Sequence, residues 1–325
     1  MVSIELKESV WKSLRGSSVL FLKRGIQELR NHTSYDRTTL TNEGAKFSYI
    51  FFQTSIELAC KAYLVKRNRL QEIVKKKKSD NDILEETIIL ERLENNTLDF
   101  ISFEKIKHIL KEKMTDEQYE MIEDFQHKRN KIIHFDLKFS EADLIDLNYD
   151  FIYFIVHVLL PILAEKDGFD EFYYPNTPSE IYDGILSKED FLNLISLPLY
   201  IERMYMEALK ESKNVYQCPF CRRECFGIQE RKCYCCGFDD EIQLEFTDCY
   251  WCESSNSVAY DVLNLESNDN FIWKTKCLNC NEDCSVYVCH NCENAYSFID
   301  TFPKCTPEYC STYNEELQKV FEPSS

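Results

Sequence analysis

Residues 116–134 read DEQYEMIEDFQHKRNKIIH, and the rest of the chain can be organised around this stretch. At about 100° per residue, Tyr119, Met121, Ile122, Phe125, Ile132 and Ile133 share one broad apolar face of a helix that begins near Asp116. Arg129 falls within that face. Gln126, Asn130 and His134 form a polar row along its edge, at i, i+4 and i+8. A guanidinium keeps its proton, so on a core-facing position it needs an anion or a water-filled cleft. A phosphate would serve, and an imidazole on the neighbouring row could move protons beside it. The plainer alternative has Arg129 held by a carboxylate such as Glu57, with His134 meeting the last carbonyls of its own helix.

Other helices follow on either side. Residues 3–30 read as one helix with Leu6, Val10, Leu14, Leu20, Phe21 and Ile26 as apolar contacts, weakened locally by Gly16 and Gly25. After the polar loop 31–41, Thr41 or Asn42 caps a helix over about 43–68 that is apolar nearly all round. Its polar exceptions, Gln53, Thr54, Glu57 and Lys61, lie on one strip and must find partners. Residues 69–115 are an insertion with a short amphipathic helix, its Lys105, Lys107, Lys111 and Lys113 directed outward. A long apolar helix follows over 137–165, capped by Ser140 with Glu141 and Asp143 in its first turn. The expected organisation is an antiparallel helical bundle over 1–165, a linker and connecting helix over 166–213 interrupted at Pro198, a Cys-rich region over 214–310, and a polar tail over 311–325.

Fifteen of the sixteen cysteines follow position 217, most of them in Cys-x-x-Cys pairs. That is metal-ligand usage in a reducing compartment rather than a disulfide framework. Cys218 and Cys221 pair with Cys233 and Cys236, and four thiolates in a tetrahedron suit zinc. Cys249, Cys252, Cys277 and Cys280 make a second set, with strands expected from 257–265. Cys289, Cys292, Cys305 and Cys310 make a third. The register stays open, because Cys277 and Cys280 could instead join Cys289 and Cys292, with His290 a possible substitute ligand. Two to three structural zinc ions are expected. All four positions of each are filled by protein, which argues against catalytic zinc.

Charge separates the two halves. Residues 1–165 hold 25 basic and 27 acidic side chains, against 13 and 29 in the remainder, so the net charge of −18 belongs almost entirely to the second half. A phosphate backbone could approach the first half and would be repelled by most of the second. Neither the charged start MVSIELKESVWKSL nor the short apolar run 151–163, broken by His157 and Pro161, reads as a targeting or spanning segment. A cytoplasmic protein without a membrane role is expected.

Two stretches carry a family resemblance. Arg129-Asn130-x-x-x-His134 closes a helix, and Phe47–Leu64 (FSYIFFQTSIELACKAYL) is an apolar helix with an embedded Glu57-x-x-x-Lys61. Together they resemble the HEPN-domain ribonucleases over about residues 10–165, and the Cys-rich remainder resembles zinc ribbons. The fold class implied is mainly α: a HEPN-like helical bundle followed by small zinc-ribbon β modules. The activity implied is metal-independent endoribonuclease cleavage, in which the RNA 2′-OH attacks the adjacent phosphorus. His134 would be acid or base, Arg129 would stabilise phosphoryl charge, Asn130 would orient His134 or a phosphate, and Glu57 would position Arg129.

The family further implies a homodimer with a composite active site, and a toxin or anti-phage role cutting tRNA or mRNA. The acidic zinc half would then meet a protein trigger or inhibitor. His134-Phe135-Asp136 departs from the His-x-Tyr ending of HEPN toxins paired with nucleotidyltransferase antitoxins, which makes that partner less expected. The competing expectation is a non-catalytic protein that binds a nucleotide, RNA or protein.

Overall fold

The computed structural model describes residues 3–33, 39–77, 80, 83–95, 97–134, 138–164, 185–212, 215–218, 220–227, 230, 232–238, 244–261, 272–277, 279–280, 282–289 and 294–298. For His134, Leu244, Asp261, Ile272, Trp273 and Lys274 the description covers the backbone alone. Two compact units form: Met1–Met206 with Tyr234–Asp239, and Glu207–Cys233 with Asp240–Ser325.

The first unit is helical. Helix α1 spans Ile4–Asn31, and Ser3 caps it by accepting the Leu6 amide at 3.2 Å. Helix α2 spans Asn42–Lys66, and Thr41 caps it by accepting the Gly44 amide at 3.1 Å. The two run antiparallel, with Lys7 against Asn68, Ser18 against Ser55 and His32 against Thr41. Gly16 and Gly25 do not interrupt α1. Gly25 is where it meets α2, since a Cβ there would stand 2.4 Å from the Phe52 ring. Three short helices make up the insertion: α3 (Leu70–Ile73), α4 (Glu86–Glu94) and α5 (Phe103–Leu110).

Helix α6 spans Asp116–His134. A reciprocal box starts it: the Gln118 amide donates to Thr115 Oγ1 at 3.2 Å, and Gln118 Oε1 accepts from the Thr115 amide at 3.0 Å. Helix α7 begins at Glu141 under a second box between Ser140 and Asp143. It runs to Phe154, widens into a π-helical turn over Ile155–Leu159, and resumes over Leu160–Ala164. Pro161 explains the widening, because it has no N–H for the carbonyl four residues back and its ring crowds that carbonyl. The carbonyl belongs to His157, and it accepts instead from Gln118 Nε2 on α6 at 3.5 Å.

The bundle core is aromatic. Tyr49 meets Phe125 at 5.0 Å and Phe151 at 4.7 Å, and Phe125 stacks on Phe154 at 3.9 Å. The whole helix Glu141–Ala164 is long and apolar enough to cross a membrane, and 67% of its most apolar window is buried inside the protein, as in a core helix.

The sequence reads 166–213 as linker and connecting helix. Its described part up to Met206 packs on the bundle. Helix α8 (Lys188–Leu194) and helix α9 (Pro198–Glu211) are separated at Pro198, as expected. Arg30 pairs with Asp190 at 2.9 Å, and Arg203 pairs with Asp146. Phe191 and Tyr200 are fully buried.

Small antiparallel sheets surround the cysteines. Strands β1 (Val215–Gln217), β2 (Glu224–Gly227) and β3 (Lys232–Cys233) form one sheet. Strands β4 (Leu244–Thr247) and β5 (Val258–Asp261) form a hairpin. Strands β6 (Ile272–Lys276), β7 (Asp283–Val288) and β8 (Ala295–Phe298) form a third sheet, with Trp273 opposite Val286 and Val286 opposite Ser297.

Candidate functional site

In α6, Ile122 and Phe125 take the core as expected, but the helix turns outward toward its end. Arg129 is half-buried, and Ile133, expected on the core face, is 48% exposed. Arg129 Nη1 donates to Asn130 Oδ1 at 2.9 Å, while its Nε is buried with no hydrogen-bond partner.

Four more buried side-chain atoms share that condition on the same pair of packed helices. They are Ser48 Oγ, Tyr49 Oη and Gln53 Oε1 on α2, and Gln126 Oε1 on α6. An unsatisfied buried polar group costs about 1–3 kcal/mol. Five together would cost roughly 5–15 kcal/mol, the stability of a whole domain. Groups in that condition call for a polar guest, whether solvent or ligand. Burial and the carboxylates Asp124, Asp150 and Asp143 push the Tyr49 phenol far above its ordinary range, so it stays protonated and able to donate.

The expected site residues are only partly brought together. Asn130 holds Arg129 rather than standing apart to orient His134. Glu57 does not reach Arg129: its Oε1 accepts from Lys61 Nζ at 2.6 Å, one turn along the same helix. Local i,i+4 geometry supplies this carboxylate with a cation sooner than a second helix can. The backbone of His134 closes α6, and its side chain lies outside the described residues. Sequence reasoning missed Ser48 and Tyr49. The signal was the i+4 row Tyr49, Gln53, Glu57 and Lys61, of which only the last three were read as a polar strip. Lys107, expected outward, is 2% exposed, with its ammonium 3.2 Å from Glu104 and 3.1 Å from Glu123.

Among the described residues the cysteines form two tetrads, Cys218/Cys221/Cys233/Cys236 and Cys249/Cys252/Cys277/Cys280, each with its sulfurs within 4.8 Å of one another. This settles the open register in favour of Cys249 and Cys252 as the partners of Cys277 and Cys280. Sulfur–sulfur distances are 3.7 Å for Cys221–Cys233, 3.8 Å for Cys249–Cys280 and 3.7 Å for Cys252–Cys277. A tetrahedron with Zn–S bonds of about 2.3 Å has edges of about 3.8 Å. A disulfide would need about 2.05 Å. The donor set therefore fits structural zinc, and all four donors of each tetrad are cysteine sulfurs.

The knuckles share one backbone design. The amides of Cys218, Cys249 and Cys277 each donate to the carbonyl five residues on, at 2.8, 3.0 and 3.0 Å. Amides also point at sulfur, Phe220 to Cys218 at 3.4 Å and Trp251 to Cys249 at 3.3 Å. The residue after the second cysteine takes a positive φ at Arg222 (61°), Gly237 (69°) and Glu253 (53°). Only glycine does so without cost. At Arg222 and Glu253 the turn returns an amide bond to the first cysteine's carbonyl, 3.0 Å in each case.

Within the second tetrad the thiols diverge: hydrogen bonds with the Ser254 side chain and backbone pull Cys252 down to about 6, burial raises Cys249, and Cys280 is pushed up to about 12. Cys289 is buried and its amide bonds the Asn294 carbonyl at 2.9 Å, the same closure. Its expected co-ligands Cys292, Cys305 and Cys310, and His290, lie outside the described residues.

No family model, no curated protein and no solved structure matches this chain.

Proposed function

We propose that the helical unit is a metal-independent endoribonuclease of HEPN type, with the Cys-rich unit as a zinc-stabilised sensing or restraining module. The supporting observation is Arg129, a permanent cation tied to Asn130 Oδ1, with its Nε buried and unsatisfied, as are four other polar atoms carried by α2 and α6. Such a group favours an anionic visitor.

In this reading a phosphodiester oxygen takes the free face of the guanidinium, and negative charge growing on the phosphoryl group is stabilised there. His134 exchanges the proton of the attacking 2′-OH or of the leaving 5′-oxygen. The products are a 2′,3′-cyclic phosphate and a 5′-OH. Asn130 positions Arg129, and Glu57, engaged with Lys61, has no direct part. Zinc holds the module together and takes no step in the reaction.

The buried hydroxyl and amide groups of Ser48, Tyr49 and Gln53 favour a second reading, in which the helical unit binds a nucleotide without cutting it. Total RNA incubated with the protein in EDTA, briefly enough that zinc content is unchanged, separates the two. The nuclease reading expects cleavage that Arg129→Ala and His134→Ala each reduce by about 100-fold or more. RNA bound but left intact, with binding lost in Arg129→Ala, supports the binder. Cleavage unchanged in both variants removes Arg129 and His134 from the chemistry.

A further inference from the structure

The knuckle Cys249-Tyr250-Trp251-Cys252 presents two large aromatic side chains to solvent, Tyr250 at 63% and Trp251 at 54% exposure. Their rings lie 6.4 Å apart, edge to face. Two cysteines of one tetrad fix the ends of this turn. The Tyr250 amide donates to Ser297 Oγ at 2.8 Å, and Ser297 Oγ donates to the Asp248 carbonyl at 2.5 Å. Little backbone order is left to be imposed on binding, which favours recognition.

The surroundings are acidic. From Leu244 to Asp261 the sequence holds Glu245, Asp248, Glu253 and Asp261 and no Lys or Arg. Asp248 and Glu253 are exposed, as is Glu282 on the Cys277 knuckle that shares the tetrad. Lys276 is already engaged, 3.2 Å from Glu224 and 3.9 Å from Asp283. Each tetrad loaded with zinc adds about two further negative charges.

We propose that this knuckle is a docking surface for an arginine-bearing segment of a partner protein. Guanidinium groups stack on the Tyr250 and Trp251 faces while Asp248, Glu253 and Glu282 neutralise them. Aromatic faces attract cations, arginine more often than lysine, and the carboxylates extend that preference to the whole surface. A nucleic acid would have to bring its phosphates against the same carboxylates. The inference is independent of the nuclease reading, because it concerns only the Cys249–Cys280 tetrad and its rim.

The test uses the full-length, zinc-loaded chain at about 0.15 M salt, where long-range attraction is screened beyond about 8 Å. The probes are a fluorescein-labelled nona-arginine peptide, its nona-lysine counterpart and a labelled dodecauridylate, read by anisotropy. Expected is a preference for arginine over lysine. The Tyr250→Ala/Trp251→Ala double variant should weaken arginine-peptide binding by about ten-fold, with zinc content and circular dichroism unchanged. Asp248→Asn/Glu253→Gln/Glu282→Gln should weaken it as well, and this variant decides the matter if the aromatic double variant loses zinc. Unchanged affinity in the variants overturns the proposal, since the peptide would then be held by net charge alone. Preferential binding of the uridylate, lost with the two rings, also overturns it and makes the knuckle a base-stacking platform.

Discussion

At the centre of the helical unit lie Phe52, Phe125, Phe151 and Phe154, none more than 2% exposed. In the sheets around the second tetrad the buried cluster is Cys249, Val258, Tyr260, Cys277, Cys284 and Val286, so half of its members carry sulfur. One region is held by hydrocarbon packing, which grows with size. The other has little hydrocarbon to bury, and its two cysteine tetrads could supply metal-ligand bonds instead. The contrast extends to how a site is recognised in each. Among the helices the candidate is marked by buried polar atoms that have no hydrogen-bond partner. Among the cysteines it is marked by four identical donors at the edge length of a metal tetrahedron.

Metal removal should separate the regions most. Chelation, or Cys249→Ser, is expected to abolish the strand signal of 244–298 while helical circular dichroism persists, because zinc contributes about 10–16 kcal/mol in comparable small peptides. Acid should act in the same direction. Bound thiolates have depressed pKa values, so the stability they confer is present at neutral pH and lost as pH falls. Strands that survive without metal would erase the contrast. The zinc count before chelation also tells whether two tetrads or the three expected from sequence are loaded.

A smaller effect probes the packed side. Gly25→Ala improves helix propensity by about 1 kcal/mol, yet its Cβ would stand 2.4 Å from Phe52. Net destabilisation of about 1–3 kcal/mol is expected in denaturant unfolding. A stabilised variant would mean that α1 and α2 are not in close contact there.

The smallest effect sharpens the comparison at Arg129. Arg129→Met removes an unsatisfied buried donor at similar length. It should raise stability by roughly 1 kcal/mol in the same assay while eliminating RNA cleavage. Loss of both stability and activity would make Arg129 a structural residue.

Much of this was legible from the residues, for identifiable reasons. The helix starts at Thr41 and Ser140 and the break at Pro198 follow from local chemistry, a side-chain oxygen free to accept an amide and an imide with no N–H. The tetrads follow from spacing, with only the register left open. What stayed hidden depends on competition between partners. Glu57 had a cation one turn away in Lys61 and another across the bundle in Arg129, and periodicity does not say which is nearer. Lys107 reads as a solvated cation until Glu104 and Glu123 are placed around it. The packing of α8 and α9 rests on Arg30–Asp190 and on Tyr200, whose partners lie far away in sequence.

Gln118 performs three tasks at the foot of α6. It closes the first turn twice with Thr115 and donates to the His157 carbonyl, four residues before Pro161. Glu117, beside it, accepts from the Tyr153 hydroxyl at 2.8 Å. Arg129 stands eleven residues further along, about 16 Å at 1.5 Å per residue. Among the described residues its guanidinium is bonded to its own neighbour, Asn130. Side-chain bonds thus anchor the helix at its first turn, Ile122 and Phe125 seat its middle in the core, and only the last turns lead outward. The direction in which the Arg129 charge points is set by contacts made further back along the same helix.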